Sequence, residues 1–425
     1  MDKLVIVGGN KLCGEVRISG AKNASLPIMA AALLANGKCV IHNVPELDDV
    51  WVMLALLEEL GVKAAFRGGV LRLDTTHAEP LTPDRELLGR IRASNLLLGS
   101  LVGRFGEAEV AASGGCSIGA RPLDLHFAAL QRMGVRFLPT PEGHLAFCRE
   151  LRGADITLAF PSVGATENVL MAAALAEGRT VLHNAAAEPE IADLAGFINA
   201  MGGRISGAGT DTIIIDGVKK LGGAEYTVMP DRIETGTFLL AGAMCGGSVV
   251  LRGARPEHNG ALLAVLRQAG AGLACGADFI AVRGGGRLQS LDVATAPYPG
   301  FPTDMQPQLA AMLCLADGCS HVCETVFENR FRYIDELKKM GASIQVSGNC
   351  AIIKGTSGLS GAEVTACDLR AGAALVLAGL AASGRTIVER ADLIDRGYED
   401  LTAKLGSLGA DIRRIAAGAG RERIS

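Results

Sequence analysis

The 425-residue chain is poor in aromatic residues, which make up 4% of it and include a single Trp. Its core must therefore be built from Ala, Leu, Val and Ile, whose small side chains let helices and sheets approach closely. Charged residues are also sparse, at 20% against 49% hydrophobic, which excludes a disordered chain and places this one among well-buried globular proteins. A basic surplus is absent. The net charge is −4, so nucleic-acid backbone binding is excluded on charge grounds, and any anion must be held by a local cluster. Apolar runs such as Leu26 to Ala35 and Ala371 to Ala382 are shorter than the ~18 residues of a membrane span. The opening MDKLVIVGGNKLCGEV lacks the charged segment and long apolar stretch of a secretory signal. The eleven cysteines form no spaced framework. Most fall in helix or strand patterns and read as reduced core thiols, which fits a cytoplasmic setting.

Glycine is abundant, with 55 residues, and its placement exposes a repeat. MAAALLANGKCVIHNV at 29–44 and MAAALAEGRTVLHNAA at 171–186 are two instances of one unit. Each unit has an Ala/Leu-rich helix ending at Gly, a short strand, an amphipathic helix ending at a second Gly, and a strand pair. The second stops are Gly61, Gly134, Gly202, Gly270, Gly341 and Gly409, separated by 73, 68, 68, 71 and 68 residues. Six copies result. The sixth lacks its closing strand, and KLVIVGGNKLCGEVRISGAKN at the start of the chain resembles 351–372, so residues 1–21 read as completing that copy. Three copies form a continuous domain, 22–229, and three a discontinuous one, 1–21 plus 230–425. A period near 70 residues is too long for the common solenoids, so two closed three-unit α/β domains are expected.

Repeats separate scaffold from chemistry. At the start of the first helix stand Lys22, Arg92, Val163–Gly164, Asp231, Asp304 and Arg370. Asp231 and Asp304 suit a helix N-cap. Lys22, Arg92 and Arg370 carry the wrong sign for a helix start and so point to an anion. Arg121, Arg330 and Arg396 occupy similar places before the second helices. The expectation is an anion site in a cleft between the domains, built from cations and helix N-termini.

The second copy is the longest, and its extra length falls at residues 113–122, SGGCSIGARP. A single Cys116 among glycines, close to Arg121, suits a mobile loop with a reactive thiol. Cys314, Cys319, His321 and Cys323 imitate metal spacing but align with ordinary strand positions of other copies, so no metal is expected. His126 falls in a second helix and lines either core or cleft. Trp51 reads as packing.

GGCSIGARPLDLH, SGAKNASLP, RASNLLLG, FPSVGATENVLMAA, AAAEPEIADLA, PDRIETGTF, YPGFPTDMQ, TVFENRF and IDRGYEDL all resemble UDP-N-acetylglucosamine enolpyruvyl transferases, in the same order and along essentially the whole chain. The resemblance implies an inside-out α/β barrel, two domains each of three βαβαββ units. It implies transfer of the enolpyruvyl group of phosphoenolpyruvate to the 3′-OH of UDP-N-acetylglucosamine, by addition and elimination through a tetrahedral ketal. This is the first committed step of peptidoglycan synthesis, and it links the chain to cell-wall biogenesis, cell shape and the division cycle. By the same resemblance Cys116 is the acid, able to add covalently to phosphoenolpyruvate and to be alkylated by fosfomycin. Asp304 is the base. Lys22, Arg121 and Arg396 meet the phosphate, with Arg330 and Arg370 near the carboxylate. Asn23, Arg92, Arg121, Pro122, Leu123, Asp124, Leu125, Ser162, Val163, Gly164, Asp304 and Val326 contact the nucleotide sugar. No cofactor and no membrane partner is implied. The alternative is a related enolpyruvyl transferase using shikimate 3-phosphate or a specialised UDP-sugar.

Overall fold

Small and aliphatic residues predominate in the first helix of every copy, and a helix apolar on most sides has to be enclosed by others. In the computed structural model, which describes residues 2–81, 84–111, 119, 122–141 and 143–416, these helices are Lys22–Ala32, Leu97–Phe105, Val163–Ala174, Arg232–Cys245, Gln306–Leu313 and Leu369–Ala381. All eight residues of Gln306–Leu313 are buried, and only Asn23 of Lys22–Ala32 is not. The second helices, such as Asp48–Glu59, bury one face and cover the outside. No helix among the described residues is long and apolar enough to cross a membrane.

The chain divides into two compact units. An inserted unit holds the described residues of 19–116 and 121–229, and a terminal unit those of 1–18, 117–120 and 230–425. The division falls after Ile18, three residues short of the repeat boundary, because Ala21 N–H donates to Met229 O at 2.8 Å within the inserted unit.

Each copy contributes one small sheet. In the inserted unit one sheet runs Glu225–Thr227, Lys38–His42, Val70–Asp74, Lys63–Arg67, and another Ile205–Ser206, Thr212–Asp216, Arg179–His183, Asp155–Thr157. The third has three described strands, Glu107–Ala111, Gly143–Phe147 and Arg136–Thr140. The strand Glu225–Thr227 ends the third copy yet runs parallel to Lys38–His42 of the first, so the unit closes on itself.

In the terminal unit the sheets run Gly272–Cys275, Phe279–Gly284, Gly247–Arg252, Leu12–Arg17; then Asp292–Ala294, Cys319–Cys323, Cys350–Lys354, Ser343–Ser347; then Glu363–Thr365, Arg385–Glu389, Lys3–Val7, Asp411–Ile415. The N-terminal segment thus serves two copies rather than one. Lys3–Val7 is an inner strand of the sixth copy's sheet, with Val5 opposite both Ile387 and Arg413. Leu12–Arg17 pairs in parallel with Gly247–Arg252 of the fourth copy.

The six glycines that stop the second helices all take positive φ, between 83° and 104°. Glycine adopts that conformation without a Cβ clash, which is why the repeat keeps it there.

The cysteines depart from the reading as reduced core. Cys323 and Cys350 face each other across antiparallel strands and form a disulfide. Of the eight free cysteines among the described residues, Cys39 and Cys314 are buried, whereas Cys13, Cys275 and Cys319 are exposed. The cause is strand alternation, which turns every second residue outward.

Ile6, fully buried in the N-terminal strand, tests how much the terminal unit depends on this strand. Ile6→Ala is expected to lower stability by about 2–5 kcal/mol, read from urea melts.

Candidate active site

In the terminal unit the repeat brings together two charged residues of the fifth copy and one of the sixth. Asp304 lies in the 3-10 turn Thr303–Met305 that leads into Gln306–Leu313. Arg370 is the second residue of Leu369–Ala381, whose N-cap is Asp368. Arg330 precedes the helix Ile334–Lys339. Arg370 places Nε and Nη2 at 3.1 and 2.9 Å from Asp304 Oδ2, and Arg330 Nη2 donates to Oδ1 at 2.9 Å. The two arginine side chains are only 2–3% exposed, while Asp304 keeps 26%, so the carboxylate is the accessible member. Burial opposes the charge on Arg370. Asp304, then Tyr398 and Asp231, more than offset it and raise its pKa.

The pairing leaves donors over. Arg370 Nη1 and Arg330 Nε are buried and make no well-formed hydrogen bond among the described residues. An unmet buried N–H costs about 1–3 kcal/mol, so these groups favour an added anion. Asp231, by contrast, is a structural N-cap, accepting from Ile233 N and Glu234 N at 2.7 and 2.9 Å. Asp304 caps no helix. The two aspartates that sequence left alike are separated by geometry.

Glu324 holds this arrangement in place. Its buried carboxylate accepts from Thr295 Oγ1 and Thr303 Oγ1, each at 2.8 Å, and from Val326 N and Phe327 N at 2.8 and 3.2 Å. Thr303 is the neighbour of Asp304, and Val326 and Arg330 lie on the loop whose start Glu324 fixes. Sequence reading missed Glu324, although the repeat marks it. The matching place, after the strand that follows the first helix, holds Asn43, Asn184, Gly253 and Arg390 in other copies, and all four take positive φ. Arg396 sits half-buried in the turn before Leu401–Ser407.

In the inserted unit, Lys22 opens the helix Lys22–Ala32, and its side chain is mostly buried. Its Nζ meets Asp49 Oδ2 at 3.0 Å, from the first turn of Asp48–Glu59. Asn23 and Arg92 are half-buried, the latter opening the 3-10 helix Arg92–Leu96. Ser162 caps Val163–Ala174, accepting from Ala165 N at 3.4 Å, and Val163 and Gly164 form its first turn. Pro122 and Asp124 are exposed, with Leu123 and Leu125 half-buried, at the start of Asp124–Arg132. Cys116 and Arg121 lie outside the described residues. No group of three or more His, Cys, Asp or Glu that could hold a metal occurs among the described residues.

A model of the family described as EPSP synthase (3-phosphoshikimate 1-carboxyvinyltransferase) matches residues 6–405. UDP-N-acetylglucosamine 1-carboxyvinyltransferase 1 of Carboxydothermus hydrogenoformans is 49% identical over 415 residues, 98% of this chain and 99% of that protein. UDP-N-acetylglucosamine 1-carboxyvinyltransferase of Geotalea uraniireducens is likewise 49% identical, over 98% of this chain and 100% of its own length. Among solved structures, the enolpyruvyl transferase NikO from Streptomyces tendae is similar with a TM-score of 0.87 at 29% identity, covering 98% of this chain and 99% of its own. EPSP synthase from Acinetobacter baumannii shares the fold with a TM-score of 0.75 at 21% identity, covering 98% and 100%.

Removing the charge of Asp304 leaves two buried guanidinium groups with a weakened partner. Asp304→Asn is expected to destabilise the protein by about 1.5–3 kcal/mol in urea melts. Added sulfate should restore more of the loss in this variant than it adds to the wild type.

Proposed function

The chain belongs to the EPSP synthase family of enolpyruvyl transferases, and from that membership we propose that it transfers the enolpyruvyl group of phosphoenolpyruvate to the 3′-OH of UDP-N-acetylglucosamine. The acceptor follows from near-full-length identity of 49% to relatives that carry that substrate in their names. The observation that carries the site is Asp304 held between two buried arginines, each with an N–H still to be met.

The chemistry is an addition followed by an elimination. A proton reaches C3 of phosphoenolpyruvate, C2 becomes cationic, and the sugar 3′ oxygen bonds to C2 as its proton leaves. The resulting ketal then loses a proton from C3, and the C2–O bond to phosphate breaks. Asp304 takes the hydroxyl proton. It is released for this role when the substrate carboxylate engages Arg330 and Arg370, so that the arginine donors are shared between two anions. Lys22, Arg121 and Arg396 neutralise the phosphate and the charge that grows on it. Asn23, Arg92, the segment 121–125, Ser162–Gly164 and Val326 hold the nucleotide sugar. Cys116 delivers the proton to C3 and is the nucleophile that fosfomycin alkylates.

These roles together make up one transfer reaction. Its product commits the nucleotide sugar to peptidoglycan synthesis, and with it to cell-wall growth, cell shape and division. The enzyme works in the cytoplasm, a reading supported by eight free cysteines against one disulfide among the described residues.

Phosphate release with phosphoenolpyruvate and either UDP-N-acetylglucosamine or shikimate 3-phosphate tests the acceptor. Turnover is expected with the nucleotide sugar, and turnover with the shikimate compound alone overturns the reading. Cys116→Ala should slow turnover by about 10²–10⁴-fold, the range for losing a general acid. Cys116→Asp should retain activity and resist fosfomycin. A fosfomycin-sensitive Cys116→Asp enzyme contradicts the alkylation site.

A further inference from the structure

His126 is absorbed by neither the repeat nor the roles above. It is the third residue of the helix Asp124–Arg132 and is buried, at 8% exposure. Its Nδ1 lies 2.9 Å from Asn168 Nδ2, and Asn168 is fully buried within the helix Val163–Ala174.

The orientation of the Asn168 amide is fixed by its other partners. Oδ1 accepts from Gly99 N at 2.6 Å, and Nδ2 donates to Asn95 O at 3.1 Å. The second hydrogen on Nδ2 must then point at His126 Nδ1, which has to be the acceptor. The imidazole is therefore neutral, with its proton on Nε2. A protonated ring would set an N–H against an N–H. Burial, and then the charge of Arg92, agree with this: they lower the His126 pKa to about 4, while Asp124 acts weakly the other way. The far edge of the ring rests on Gly164, where an added Cβ would lie 3.0 Å from Cε1 and 3.4 Å from Nε2.

Three backbone segments meet at this pair. Asn95 and Gly99 belong to the turn and helix that follow Arg92. His126 directly follows Asp124 and Leu125. Gly164 and Asn168 share the first two turns of the helix capped by Ser162. We propose that Asn168 and His126 form a buried clamp that sets the relative positions of these segments, and so act as positioning residues for the nucleotide-sugar site. The clamp rests on the reading that Arg92, the 122–125 strip and Ser162–Gly164 bind that substrate. It extends that reading to two residues with no expected contact to the ligand. Positioning of this kind acts through geometry and affects binding of one substrate selectively.

Two measurements on the full-length enzyme test it. His126→Gln keeps an acceptor toward Asn168, whereas His126→Leu keeps bulk and removes it. The KM for UDP-N-acetylglucosamine is expected to rise roughly tenfold in His126→Leu, the change carried by about 1.4 kcal/mol. It should stay near the wild-type value in His126→Gln, and the KM for phosphoenolpyruvate should hardly move in either. Equal nucleotide-sugar KM values in the two variants overturn the clamp, because a merely structural role would lower stability without that selectivity. Separately, the imidazole nitrogens of ¹⁵N-histidine-labelled enzyme should show His126 as the Nε2–H tautomer throughout pH 5–8. Titration near the ordinary value of about 6.5 contradicts the geometry. If the wild type does not turn over UDP-N-acetylglucosamine, the substrate reading fails, and the titration alone then decides whether the clamp exists.

Discussion

A helix buried on every side can carry charge only at its ends, and this constraint organises both units. The first helix of each copy is enclosed by its neighbours and by the outer helices and sheets, so Ala, Leu and Gly are required along its length. Leu97–Phe105 and Val163–Ala174 approach so closely that a Cβ on Gly99 would lie 2.4 Å from Asn168 O. Lysine and arginine side chains gather at the N-terminal turn, where unsatisfied N–H groups and the positive end of the helix dipole also lie. Lys22, Ser162, Asp304 and Arg370 all stand there.

Cations placed at such positions need compensation before any substrate arrives. Lys22 is paired with Asp49, and Arg330 and Arg370 share Asp304. A buried charge without a partner is strongly destabilising, so carboxylates from the chain itself occupy the sites that an anionic substrate would approach. On the proposed function, binding is an exchange of one anion for another, or a sharing between them. Glu324 and Asn168 serve this arrangement from a distance. Each is buried and saturates several backbone or hydroxyl donors and acceptors, which fixes the segments that carry the exposed groups.

Much of this was legible in the sequence because the repeat turns chemistry into exceptions. Gly61, Gly134, Gly202, Gly270, Gly341 and Gly409 marked the helix ends, and each takes the left-handed backbone that requires glycine. Lys22, Arg92, Asp304 and Arg370 stood out as charges where packing asked for none. What sequence could not give was pairing across space. Asp231 and Asp304 looked alike until one proved to be a cap and the other an ion-pair centre. Cys323 and Cys350 looked like strand cysteines because register, which sets them opposite each other, is not written in either strand alone. His126 and Asn168 are 42 positions apart, and nothing local links them. The two strands of the N-terminal segment resemble parts of one copy yet join the sheets of two, because strand similarity does not say which sheet receives a strand.

That N-terminal segment has a consequence for synthesis on the ribosome. Lys3 pairs with Glu389, a residue made 386 positions later, so the first strand leaves the exit tunnel with no partner. At ~5–20 residues per second it waits roughly 20–80 s for its neighbours. The inserted unit, complete by Met229, can fold during that interval, while Leu4, Val5 and Ile6 remain an apolar strand with two open edges. This strand, made long before the residues it pairs with, is thus among the last parts of the terminal unit to be buried.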